Sequence, residues 1–141
     1  MQNSEKLINF LEKEFGIPRK VFDEFNLIEK DKKVWLCAKN ILIPDMNVQT
    51  IGINLFKLKD DWHYPSSIGI RALEKHIAKN IIEIDLIQLN ELFENKSIEC
   101  KGNTGYRAIK FRNKVIGLGY CKEGKMHHLI PKHLMNDLKQ F

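Results

Sequence analysis

Five cations punctuate the C-terminal third of the chain at positions set by asparagine, glycine and proline: Arg112 and Lys114 around Asn113, Lys122 and Lys125 around Gly124, and Lys132 after Pro131. Cations at turn tips can track the phosphates of a polynucleotide, because each one neutralises a phosphate and releases a condensed counterion. Gly117 and Gly119 lie two residues apart between them. In a strand they would leave one face without side chains, where a nucleic-acid backbone could come close; barrel curvature is the competing use of such glycines. His127 and His128 would point to opposite faces of a strand, so at most one joins this cationic rim, and His128 is taken as that one.

Two further constellations precede the basic third. Trp62 and Tyr64 flank His63, and unpaired bases stack well on such rings, although aromatic residues more often anchor a loop to the core. Asp60, Asp61 and His63 are close enough in sequence for acid–base or metal chemistry, a role that adjacent loop carboxylates commonly lack. The chain has no phosphate-binding Gly-x-x-x-x-Gly-Lys-Ser/Thr loop, no Gly-x-Gly-x-x-Gly opening a helix, no Gly-x-Ser-x-Gly elbow and no His-Glu-x-x-His. It is poorly supplied as an enzyme, and no cofactor is expected. Cys37, Cys100 and Cys121 are an odd number at wide spacings, which reads as reduced thiols. Cys121 with His127 and His128 offers three metal ligands on paper, but no second cysteine is near.

The elements that must position these residues follow from hydrophobic period. Ser4 caps a helix whose face is Leu7, Ile8, Leu11 and Phe15; Gly16 ends it, and Pro18 opens a second short helix with Val21, Phe22 and Phe25 buried. The period becomes two at Val34, Leu36 and Ala38, and again from Gln49 to Leu58, with a loop at Ile43 to Asn47 between them. Asp60 to Ser67 reads as a loop ending in a serine cap for a third helix with Ile70, Leu73 and Ile77 on its buried side. Ile81, Ile82 and Ile84 predict a short buried strand, and Asp85 with Gln88 makes a capping box for a helix carrying Leu86, Leu89, Leu92 and Phe93, which Asn95 stops. Four strands then follow, Ser97 to Cys100, Tyr106 to Phe111, Val115 to Cys121 and Lys125 to Ile130, read as a meander curled into a partly closed barrel with the cations on one rim.

Charge divides the chain near residue 100. Residues 101–141 carry nine Lys or Arg against two Asp or Glu, whereas residues 1–100 carry fourteen against sixteen, so a net +5 splits into +7 and −2. A local excess of one sign points to a polyanionic partner, most directly RNA. A boundary near Asn80 gives an α+β unit at 1–79 and a β-rich unit at 80–141 that pack together. With 43% hydrophobic and 29% charged residues, no long apolar run and a polar, acidic start, a folded cytoplasmic protein without a membrane span or signal peptide is expected.

Gly105-Tyr106-Arg107-Ala108-Ile109-Lys110-Phe111, Val115-Ile116-Gly117-Leu118-Gly119, Gly124-Lys125-Met126 and Ile130-Pro131-Lys132, in that order, resemble the PUA-type module at the end of RsmF-like ribosomal RNA methyltransferases. Phe15-Gly16-Ile17-Pro18 through Val34-Trp35-Leu36 is similar to the pre-PUA half that precedes this module in small archaeal proteins related to the NOL/NOP/Sun methyltransferases. The resemblance implies an N-terminal α/β pre-PUA-like half packed on a PUA-like mixed β-barrel. It implies an RNA-binding protein of rRNA or tRNA modification and ribosome biogenesis, working beside an RNA methyltransferase or a ribosome-assembly factor. The methylating members need an S-adenosylmethionine domain and cysteines in Pro-Cys and Thr-Cys settings, whereas the three cysteines here follow Leu36, Glu99 and Tyr120. His127-His128-Leu129 also departs from the family's Lys-Asn-His-like residues. The expected function is therefore non-catalytic RNA binding, with a protein–protein adaptor, or a small enzyme acting through Asp60, Asp61 and His63, as alternatives.

Overall fold

A computed structural model describes residues 4–39 and 52–138, and the chain divides between Lys79 and Asn80 into two units. The first opens with α1 (Ser4–Phe15), whose Leu7, Leu11 and Phe15 are buried at helical spacing. Gly16 stops it at φ +67°, a conformation that costs glycine little, and the Gly16 N–H donates to the Glu12 carbonyl at 2.9 Å. After Pro18 the chain makes a 3₁₀ turn, Arg19–Glu24, rather than an α-helix. Arg19 reaches back to Glu5 and Asn9 of α1, and Phe22 is buried. Phe25 does not extend that helical face but begins β1 (Phe25–Lys30), a strand that the periodicity missed.

Among the described residues, β1, β2 (Lys33–Ala38), β3 (Ile53–Lys59) and β4 (Trp62–Pro65) form an antiparallel sheet in chain order. Two of its hairpins turn on paired left-handed residues, Asp31-Lys32 (φ 55° and 61°) and Asp60-Asp61 (φ 52° and 61°), the geometry whose twist matches flanking strands. The segment after Asp61 is thus an edge strand and not a loop, which tolerates Pro65 at its end. Val34 to Cys37 are buried without alternation. The expected loop at Ile43 to Asn47, and the start of the stretch from Gln49, lie outside the described residues. Phe10 of α1 meets Phe56 edge-on at 6.0 Å, which seats the helix on the sheet.

The third helix, α2 (Ser67–Ala72), is capped by Ser66, whose Oγ accepts from the Gly69 N–H at 2.9 Å and donates to the Asn54 carbonyl. It is shorter than the face Ile70, Leu73 and Ile77 predicts. The Phe15 carbonyl accepts from the N–H groups of Ala78 (2.8 Å) and Lys79 (3.2 Å), and to reach it the chain leaves the helix, with Ile77 already extended at φ −76°, ψ 124°.

In the second unit β5 (Ile81–Ile84) precedes α3 (Leu86–Asn95), held by the expected capping box: the Gln88 N–H donates to Asp85 Oδ1 at 2.8 Å and the Asp85 N–H to Gln88 Oε1 at 3.0 Å. Next come β6 (Ser97–Glu99), β7 (Gly105–Phe111), β8 (Lys114–Lys122), β9 (Lys125–His128) and α4 (Lys132–Leu138). The sheet order is β5-β7-β8-β9-β6, with β5 parallel to β7 and the other pairings antiparallel. Among the described strands of this second sheet, only β7, β8 and β9 form a meander. The chain passes from one edge strand, β5, through α3 to the opposite edge, β6, and Leu89 and Leu92 of that helix share a buried cluster with Ile98, Ile109, Phe111, Ile116 and Met126. The architecture is α+β, with the second sheet curled as a half-barrel.

That edge placement corrects the reading of the cysteines. Because β6 pairs with β9 instead of its chain neighbour, the Cys100 N–H reaches the Gly124 carbonyl at 3.0 Å, and Cys100 is disulfide-bonded to Cys121 with Cα atoms 6.5 Å apart. Cys121 is thereby also removed from the conjectured metal set. Cys37 is a free, buried thiol whose pKa is pushed up by that burial.

Candidate nucleic-acid interface

The cations do not share one rim. Arg112 and Asn113 (φ 51° and 66°) turn β7 into β8, and Glu123 and Gly124 (φ 54° and 80°) turn β8 into β9. Successive turns of an antiparallel meander fall at opposite ends, and the eight steps from Lys114 to Lys122 span about 27 Å. Arg112 lies over the Phe111 ring at 4.9 Å from its centroid. With Lys110 and Glu83 it borders a small depression beside the end of β5. At the other end Lys122 and Lys125 face each other across the ladder, an arrangement of like charges that is unfavourable until an anion approaches.

Between the two ends, α3, β9 and α4 line a half-open cavity of about 540 Å³. Its walls are Phe93, Ile130 and Met135 on the apolar side, with Lys96, His127, His128, Lys132 and Asn136 supplying the polar groups. The His128 ring packs edge-on against Phe93 at 5.7 Å, and its Nδ1 accepts the Ile130 N–H at 3.2 Å. Burial lowers the His128 pKa, followed by the charges of Lys96 and His127. The imidazole is therefore neutral at neutral pH, and with Nδ1 accepting, the proton resides on Nε2. An apolar wall, a neutral donor, an amide and two ammonium groups together suit a heteroaromatic ring attached to phosphate.

The sequence indicated His128 and Lys132 but not Lys96, which enters the cavity as the left-handed residue (φ 67°) closing α3. Its signal was the helix stop, displaced by one residue from Asn95. Arg107, given no site role from the sequence, donates to the carbonyls of Tyr106 and Asn103 and so holds the loop before β7.

Gly117 and Gly119 are buried rather than open to a ligand. A Cβ on Gly119 would lie 2.7 Å from Met126 Sδ and 3.1 Å from Ile109 Cδ1, so the space that it leaves is filled by the core. Gly117 pairs with Ile109 beside a β-bulge, which places it on the same inward face. Curvature and packing, not close approach of a backbone, explain both glycines.

Trp62 and Tyr64 stand on one face of β4 and are 59% and 42% exposed. His63 points the other way, edge-on to Phe56 at 6.4 Å with Nε2 3.7 Å from Glu29 Oε1, while Asp60 and Asp61 form the exposed turn. The three groups proposed for acid–base chemistry are thus divided between a turn tip and the packed face. Among the described residues no group of three His, Cys, Asp or Glu could hold a metal ion, and no helix is long and apolar enough to cross a membrane.

These features define an α+β protein of two units with a basic, partly aromatic surface. The chain is similar to ribosomal RNA small subunit methyltransferase F of Vibrio cholerae, at 24% identity over 117 residues, covering 79% of this chain and 24% of the relative. It is similar also to the protein of that name from Psychromonas ingrahamii, at 22% identity over 127 residues, 82% of this chain and 26% of the relative. The chain spans about a quarter of the length of the curated relatives it matches, and the relationship is a distant one. No protein-family model matches the chain.

Proposed function

We propose that this protein binds structured RNA in ribosomal or transfer RNA modification, as a non-catalytic accessory to an RNA methyltransferase, with the second unit acting as a PUA-like module. The observation that carries the reading is the cavity of Phe93, Lys96, His128 and Lys132, where an aromatic wall and two cations converge. The +7 charge of residues 101–141 supports it, as does the distant similarity to proteins named for methylating ribosomal RNA. Arg112 and Lys114 at one end of the sheet, with Lys122 and Lys125 at the other, would contact phosphates on two segments of a folded RNA. The working compartment proposed for this role is the cytoplasm.

Fluorescence anisotropy against a structured RNA fragment and a DNA duplex of equal length tests this at two salt concentrations. Tighter, salt-dependent binding to the RNA is expected. Equal weak binding to both would reduce the charge to nonspecific attraction, and no binding would leave the adaptor alternative.

A further inference from the structure

The first unit, whose 13 Lys or Arg nearly balance 11 Asp or Glu, concentrates lysine on one sheet face. Cross-strand partners point to the same side of a sheet, and the register runs Lys30↔Lys33↔Lys57↔Tyr64 across all four strands, a row of about 14 Å at the usual strand spacing. The next pair along is Lys59↔Trp62. Lysines facing one another across a ladder repel, so three in a row form a surface that gains by meeting a polyanion. The Lys33 ammonium already lies 5.8 Å from the centroid of the Trp35 ring on the same face.

The aromatic members specify which polyanion. Trp62 and Tyr64 are two residues apart on the edge strand, hence about 6.8 Å apart along it, with both rings exposed. That separation suits successive bases of an extended strand, whereas bases already stacked in a duplex offer no free face. We infer that the face formed by Lys30, Lys33, Lys57, Lys59, Trp62 and Tyr64 is a stacking platform for an unpaired RNA strand. It lies on the other unit from the cavity and extends the RNA-binding reading, on which it rests, to a single-stranded segment of the same RNA.

The test uses the whole chain, an oligouridine of about twelve nucleotides, within the usual range of single-strand sites, and an RNA duplex of the same length. Trp62 is exposed and Trp35 is 8% exposed, so stacking should quench mainly the Trp62 emission. Expected are quenching by oligouridine in excess of that by duplex, about tenfold weaker oligouridine binding for Trp62→Leu with Tyr64→Leu, and recovery of most of that loss when the same positions carry Phe. Lys57→Glu with Lys59→Glu should weaken oligouridine binding by more than it weakens binding of the RNA duplex. Unchanged oligouridine affinity in the leucine variant, with structured RNA still bound, would overturn the platform and leave the cavity reading intact. Failure of the unmodified protein to bind any RNA would overturn both.

Discussion

His128 presses the edge of its ring against Phe93, with centroids 5.7 Å apart and planes at 71°, while its Nδ1 takes the Ile130 N–H. One residue thereby joins α3 to the segment entering α4, and does so only as a neutral imidazole, since a protonated ring has no acceptor to offer.

The pH dependence of stability follows from that state. The His128 pKa is lowered below the ordinary value of 6.5 by burial first, then by Lys96 and His127, so the unfolded chain takes up its proton at a higher pH than the folded one. The contribution is complete above the unfolded value and is lost as pH falls through 6.5 toward the lowered folded value. Melting temperature measured between pH 8 and 5 should decline over the acidic part of the range, and the decline should be smaller in His128→Gln.

Gly119→Ala should destabilise the second unit by about 1–3 kcal/mol, since its methyl group would meet Met126 and Ile109 inside a packed core. Urea unfolding gives the change. RNA affinity of the folded variant should be unaltered because the substitution faces inward.

Joining Cys100 to Cys121 closes a loop across 21 residues, for which chain entropy gives about 3 kcal/mol. Cys100→Ser should lower stability by that order under oxidising conditions and by little in the presence of a thiol reductant. Denaturant melts of both proteins in both buffers make the comparison.

The elements that the sequence disclosed are those whose signal is local. The Asp85–Gln88 capping box and the Gly16 stop each depend on residues within one helical turn, and both are present as read. What escaped depended on partners far along the chain. Asp60-Asp61 carries no glycine to advertise its left-handed pair, so Trp62 to Pro65 resembled a loop until β3 supplied its ladder. Cys100 gave no hint of Cys121 because β6 joins the sheet at its far edge, a choice made by the α3 crossover. The hairpin cations fall at opposite ends for a local reason, as consecutive turns of a meander do, whereas non-local topology brought Lys96, Lys132 and His128 around one cavity from three separate elements.

The most direct test of the central claim is the salt dependence of structured-RNA affinity in Lys96→Glu with Lys132→Glu, set against the unmodified chain. If both lysines contact phosphate, affinity should fall and the slope of log affinity against log salt should drop by about 0.7 to 0.9 for each contact removed. An unchanged affinity and slope in a variant that melts normally would contradict the assignment of RNA binding to the cavity.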